Sequence, residues 1–374
     1  ISAYYPNYFY DAGIAGAAYH ILKGMQSPAH QVRLMGIASI PAFNDAFYKN
    51  TIPTWAKSFV YKVLPNPTLL KASEAIYCRT LKKNDIAYLW PGVSLATYQV
   101  LKDRGCTIIY EGVNTHEAHS KVILDKAYTQ LNLTITHDVC AEKVVVESAK
   151  LALADFIYSC SPIMTQSMLN NGVPQQKILQ TSYGLGSQAI LDGVYSTVPL
   201  PDKVPTFIFV GSISVRKGVH LLLDYWVKAK LDAKLQVVGK IEPALKSLVE
   251  NYLEQDNIEH IPYTSDLASI YKNADVFVLP SLEEGSPLVT YMAFGAGVPL
   301  LVSPMAAGGV VADDQEGIVI DPYDEEAWIV QLQRLSKDAT LRSRLAQKSK
   351  LKAPHYLWDA VAKRRLHALT NAMQ

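Results

Sequence analysis

The 374-residue chain contains no Asp-x-Asp, no Cys-x-x-Cys, no Gly-x-Ser-x-Gly and no P-loop. The missing Asp-x-Asp removes one common way of seating a divalent ion on a phosphate. No His, Cys and carboxylate cluster has metal-ligand spacing either, so no metal and no other cofactor is expected. The missing Gly-x-Ser-x-Gly and P-loop argue against a nucleophile elbow and a phosphate-cradling NTPase loop. Charge is scarce: 18% of residues are charged and the formal net charge is +1, which removes a global electrostatic case for nucleic acid. Cys78, Cys106, Cys140 and Cys160 stand far apart and read as reduced, buried thiols of a cytoplasmic protein. No apolar run approaches the ~20 residues that span a bilayer. The opening "ISAYYPNYF" lacks the basic and long apolar regions of an export signal.

Apolar residues make up 49% of the chain, as in a folded globular protein, and the length suits two domains. The second half alternates regularly. "PTFIFVG", "AKLQVVG", "IEHIP", "DVFVLPS", "VPLLVS" and "GIVIDP" read as buried strands, separated by segments of helical spacing such as "VHLLLDYWVKAKL" and "DEEAWIVQLQRLSKD". Single helices between strands imply βαβ units and a parallel, doubly wound sheet. The first half repeats the scheme with "ISAYYP", "QVRLMGIA", "DIAYLWPG", "CTIIYEG", "DFIYSCS" and "KILQTSYG". An insert from about 43 to 80, richer in aromatics and lysines, reads as helices lying over the sheet. "DGVYSTVPLPDKVP", residues 192–205, is the natural linker. Two such domains facing each other bind ligands at the carboxyl ends of their strands.

Four stretches carry chemistry. "FIFVGSISVRKGVHLLL" places Arg216, Lys217 and Gly218 at the mouth of a helix after a buried strand, where two cations favour an anion such as a diphosphate. The alternative is a pair of solvated surface cations. "DAGIAGAAYH" sets Gly13 and Gly16 at another helix start, where backbone can approach a ligand or simply make a tight turn. "IIYEGVNTHEAHS" puts Glu111, His116 and His119 just beyond a strand, at the expected cleft edge. "SLEEGSPLVTYMAFGAGVP" adds adjacent carboxylates, Glu283 and Glu284, between a buried strand and a helix of small residues.

Together "FVGSISVRKGVHLLL", "ADVFVLPSLEEGSPLVTYMAFGAGVPLLVS" and "GVPQQKILQTSYG" resemble the retaining glycosyltransferases of family 4. The resemblance implies a GT-B fold of two doubly wound Rossmann-like domains. It places the acceptor domain at 1–190, completed by a crossing helix at 355–374 that Trp358 anchors, and the donor domain at 191–354. It further implies transfer of a hexose from a UDP- or GDP-linked sugar to a carbohydrate or lipid-linked glycan, in polysaccharide or glycoconjugate synthesis, without metal. By the same resemblance Arg216 and Lys217 hold the diphosphate, with Gly13 and Gly16 at its first-domain edge. Glu284, Gly285, Ser286, Pro287 and Leu288 cup the sugar, with Glu284 facing it and His116 touching it. Tyr263, Val289 and Met292 fall near the nucleoside. Two residues depart from the family pattern. Met292 stands where the second Glu of Glu-x7-Glu holds the ribose, and Ser212 stands where many relatives carry Arg. The missing Glu keeps open a catalytically degraded sugar-nucleotide binder or partner subunit, and the fold also admits a sugar-nucleotide epimerase. Finally, residues 55–83 mix Trp55, Phe59 and Val63 with five lysines, a pattern for weak contact with an anionic membrane face.

Overall fold

The structure is a computed structural model, and it describes residues 1–10, 12–40, 45–53, 66–186, 204–264 and 266–374. Thirteen described strands alternate with helices in chain order. The first half runs β1 (Ser2–Phe9), α1 (Gly13–Gly24), β2 (Arg33–Ser39), β3 (Tyr48–Asn50), α2 (Asn66–Arg79), β4 (Ile86–Leu89), α3 (Leu95–Asp103), β5 (Thr107–Glu111), α4 (Glu117–Gln130), α5 (Ala141–Leu153), β6 (Phe156–Ser159), α6 (Pro162–Asn170) and β7 (Ile178–Gln180). The second half runs β8 (Thr206–Val210), α7 (Val219–Ala229), β9 (Lys234–Val238), α8 (Lys246–Leu253), β10 (Ile258–Ile261), α9 (Leu267–Asn273), β11 (Val276–Leu279), α10 (Leu288–Ala296), β12 (Leu300–Val302), α11 (Pro304–Ala307), β13 (Gly317–Val319), α12 (Glu325–Lys337), α13 (Ala339–Lys352) and α14 (Trp358–Ala372).

The strands assemble into two all-parallel sheets, ordered β3-β2-β1-β4-β5-β6-β7 and β10-β9-β8-β11-β12-β13. Buried on both faces, these strands must be apolar throughout, which is why "TFIFV" and "VFVL" carry no alternation. Each sheet reverses its order of strand addition once, between β1 and β4 and between β8 and β11. Ligands of such sheets settle outside the carboxyl ends at these reversals.

Several expectations are corrected. The insert at 43–80 is not wholly helical: β3 lies within it and pairs with β2 through Leu34 and Tyr48, so the sheet extends by one edge strand. Residues 54–65, with Trp55, Phe59, Lys57, Lys62 and Val63 of the membrane reading, lie outside the described residues. So does the expected domain boundary at 190 and 191. Cys140 is exposed, just ahead of α5, while the other three thiols are buried.

The C-terminal helix returns to the first sheet. α14 packs along α1, where Gly24 leaves only 2.7 Å between its missing Cβ and that of Ala362. Trp358 stacks on His20 with rings 5.9 Å apart and nearly parallel. Arg365, fully buried, reaches Glu111 at the end of β5, with Nη1 2.8 Å from Oε2. Tyr88 and Tyr183 donate to the same carboxylate. Glu111 is therefore a structural counter-charge under the crossing helix and not a cleft residue.

Candidate functional site

The reversal between β8 and β11 brings together the two loops that the sequence marks. The loop after β8 carries Arg216 and Lys217 and turns into α7 through Gly218, whose φ of +66° is left-handed. A side chain there would also overlap the Pro280 carbonyl, so glycine is required twice over. The loop after β11 carries Glu283 to Pro287 and is tied to its neighbour where Leu282 N–H donates to the Arg216 carbonyl at 2.8 Å.

All four charges meet. Lys217 Nζ pairs with Glu284 Oε1, and Arg216 Nη2 lies 3.2 Å from Glu284 Oε2. Arg216 Nε donates to Glu283 Oε2 at 2.7 Å. Glu284 is 4% exposed. Burial alone would raise its pKa, but Lys217 and Arg216 outweigh it and hold the carboxyl below its ordinary range. Burial likewise disfavours the Arg216 charge, and Glu284 and Glu283 more than restore it, so its pKa is raised. The cations do not stand free at the helix mouth; each is neutralised by a carboxylate of the facing loop.

Glu283 does more than balance charge. Its Oε1 accepts from Thr115 Oγ1 at 2.7 Å, from Ser120 Oγ at 3.2 Å and from Thr115 N–H at 3.3 Å, all in the first domain. Arg216 Nη2 crosses too, donating to Asn114 Oδ1 at 2.9 Å. Gly285 sits so close to the Val113 carbonyl that an added Cβ would overlap it. Tyr128 donates to Glu242 further along the same seam. The second-domain loop is therefore latched onto the loop between β5 and α4. A cavity of about 470 Å³ lies beside the latch, lined among others by Asn114, Glu117, Ser212, Arg216, Lys240 and Glu283.

His116 caps α4 and is 2% exposed. Its Nδ1 accepts from Ala118 N–H at 3.1 Å, which places the ring proton on Nε2. That Nε2 is buried and has no partner. Burial, assisted by His119, lowers the His116 pKa, so the ring stays neutral and offers one N–H. Behind it stands Glu147 of α5, with Oε2 3.7 Å from His116 Nδ1. Glu147 accepts from Tyr110 at 2.9 Å and from Glu117 N–H at 2.6 Å, and burial lifts its pKa to about 7.

The remaining expected residues distribute as follows. Ser286 is buried and shares a 2.8 Å hydrogen bond with Tyr291, whose hydroxyl also accepts from Tyr183 N–H at 3.1 Å. Pro287 caps α10, and Leu288, Val289 and Met292 on that helix are partly buried against the core. Gly13 is exposed at the start of α1, whereas Gly16 is buried in its first turn, its N–H bonded to the Ala12 carbonyl at 3.1 Å. Tyr263 is 74% exposed beyond β10. Sequence reasoning missed Asn114, Thr115, Ser120 and Glu147. A buried glutamate on the apolar face of "EKVVVESAK" was the one available signal, and the latch residues gave none.

Residues 196–352 match the family described as Glycosyl transferases group 1. An uncharacterized glycosyltransferase of Haemophilus influenzae is 28% identical over 158 residues, 40% of this chain and 45% of that protein. A D-inositol 3-phosphate glycosyltransferase of Xylanimonas cellulosilytica is 30% identical over 174 residues, 44% of this chain and 41% of that one. The chain thus matches less than half the length of these relatives. Solved structures match throughout. Sucrose-phosphate synthase of Thermosynechococcus elongatus superposes with a TM-score of 0.69 at 17% identity, over 100% of this chain and 99% of that one. WaaG, a glycosyltransferase of lipopolysaccharide biosynthesis, superposes with a TM-score of 0.69 at 15% identity, over 99% and 100%. The second half of the chain is thus similar to group 1 glycosyltransferases, and the overall fold is GT-B.

Proposed function

We propose that the protein is a retaining, metal-independent glycosyltransferase that moves a hexose from a UDP- or GDP-linked sugar to a carbohydrate or lipid-linked glycan acceptor. The observation that carries this reading is the Arg216–Lys217–Glu284 cluster at the β8/β11 reversal, within a loop latched to the first domain beside His116. A donor's diphosphate competes with Glu283 and Glu284 for the two cations. Lys217 and Arg216 then stabilise the charge that develops as the anomeric C–O bond breaks and its electron pair passes to the β-phosphate. The acceptor oxygen bonds to the same carbon, and its proton leaves with that phosphate. The orphaned His116 Nε2–H donates to a sugar hydroxyl, and Glu284 accepts from another while offsetting oxocarbenium-like charge. Latching of the loops excludes water that would hydrolyse the donor.

A role in polysaccharide or lipopolysaccharide synthesis is supported by WaaG and by the capsular polysaccharide glycosyltransferase CapM of Staphylococcus aureus, 25% identical over 170 residues. No described helix is long and apolar enough to cross a membrane. A weak contact of the 55–83 segment with an anionic face belongs to this proposal, and vesicle flotation at low salt checks it. The non-catalytic reading rests on Met292, which packs partly buried on α10 where a ribose-binding Glu is expected. Assays of donor hydrolysis and of transfer across common sugar nucleotides, with and without chelator, decide between them. Turnover that survives chelator supports transfer. Donor binding without turnover supports the degraded site, and abolition by chelator with rescue by manganese refutes metal independence.

A further inference from the structure

The chain crosses between the domains twice, and the crossings touch: Leu185 N–H donates to the Tyr356 carbonyl at 2.9 Å, and Trp358 N–H to the Leu185 carbonyl at 3.2 Å. Beside this contact lies a cavity of about 260 Å³, lined among others by Thr181, Ser182, Gly308, Gly309, His355 and Arg364. Its chemistry differs from that of the cavity beside the latch, which Glu117, Asp138, Glu242 and Glu283 all line. Among the described residues no carboxylate lines the second cavity. The nearby acid Glu316 is taken up by Lys352 at 2.9 Å. Arg364 lines this cavity, and its Nη2 is buried with no hydrogen-bond partner. Burial lowers the Arg364 pKa, and burial together with Arg364 and Lys352 lowers that of His355. A desolvated guanidinium N–H left unpaired is costly.

We propose that this cavity is a binding site for a phosphate-type anion, either inorganic phosphate or the phosphate group of a small phosphorylated sugar. Arg364 offers the fork geometry that phosphate oxygens accept, and His355, Thr181 and Ser182 line the same cavity. The volume is several times the ~30 Å³ that one water occupies, enough for more than a single solvent molecule. The occupant joins three parts of the chain: the outgoing crossing at 181–182, the returning one at 355–364, and Gly308–Gly309 of the second domain. Gly308 abuts Ser286 in the candidate sugar loop, with 2.8 Å between its missing Cβ and Ser286 Oγ. An anion here fastens the crossings and favours the latched arrangement of the domains.

The test uses the full chain, with inorganic phosphate and glucose 1-phosphate as probes, read by calorimetry and by melting temperature. Melting temperature of the unmodified protein should climb with the logarithm of phosphate concentration. Arg364→Ala should weaken binding by at least ~tenfold, as expected for loss of a charge-assisted hydrogen bond. Arg364→Gln and His355→Ala serve if that variant folds poorly, and both should also bind more weakly. A folded Lys217→Ala should keep the Arg364-dependent binding of these probes in calorimetry, which separates this site from the donor cleft. Tighter binding of glucose 1-phosphate assigns the site to a phosphorylated sugar, and tighter or equal binding of phosphate assigns it to the free ion. No binding to the parent, equal binding by the folded Arg364 and His355 variants, or loss of all binding in a folded Lys217→Ala would overturn the proposal.

Discussion

Lys217→Ala tests the pairing at the heart of the cleft, and it should act on stability and on binding by separate routes. In the folded protein the Lys217 side chain is 14% exposed and that of Glu284 5%, so the pair is largely out of water. Breaking a buried pair by removing one partner costs about 3–5 kcal/mol, because the remaining charge is stranded. The low end applies here, since Arg216 Nη2 stays 3.2 Å from Glu284 Oε2 and Lys217 retains some solvent contact. About 3 kcal/mol corresponds to a fall in melting temperature of roughly 6–12 °C for a domain of ~150–250 residues. The charge-assisted hydrogen bond that the Lys217 ammonium offers a bound diphosphate is worth ~1.5–3 kcal/mol, so without it UDP affinity should fall about ten- to hundredfold. Replacing Glu284 as well separates the two effects. Lys217→Ala/Glu284→Gln should recover part of the stability, because no buried carboxylate is left unpaired, yet should recover none of the affinity. Thermal unfolding of the four proteins of the cycle and calorimetry with UDP supply all the terms. Strictly additive stabilities, or UDP affinity unchanged in a folded Lys217→Ala, would refute the reasoning.

Three further outcomes are expected. Gly285→Ala places a Cβ against the Val113 carbonyl, a backbone obstacle that cannot rotate away, so the latch should open: small-angle scattering should show a larger radius, and transfer should fall more than UDP binding. Met292→Glu should tighten UDP binding by tenfold for each ~1.4 kcal/mol gained from ribose hydroxyls, and unchanged calorimetric affinity in a folded variant would move the ribose away from α10. Glu147 carries a raised pKa of about 7 against 4.5 in the unfolded chain, so its folded state prefers the protonated form. Its contribution to stability is full below about pH 4.5 and is lost as pH rises to 7, and Glu147→Gln should flatten that slope in melting curves recorded across the window.

Much of this architecture is local and therefore legible in the chain. Uninterrupted apolar runs such as Phe207–Val210 and Val276–Leu279, each followed by a helix of fitting length, dictate parallel strands buried on both faces. Loops at the carboxyl ends of such strands place Arg216, Lys217 and Glu284 near one another by sequence pattern alone. The edge strand β3 escaped because three residues, "YKN", carry no usable periodicity and acquire strand form only by pairing with β2. Only the tertiary structure decided what those charges do. Thr115 and Glu283 are 168 positions apart and Glu111 and Arg365 are 254 apart. Nothing in a local pattern distinguishes a glutamate that will pair with the cations of a neighbouring loop from one that will be buried under a returning helix. Glu111 ends one buried strand and Glu284 follows another, yet one lies under a crossing helix and the other beside Lys217 and Arg216. The choice depends on how two sheets and one returning helix come to rest against each other, and on the cost of leaving any charge unpaired where water is excluded.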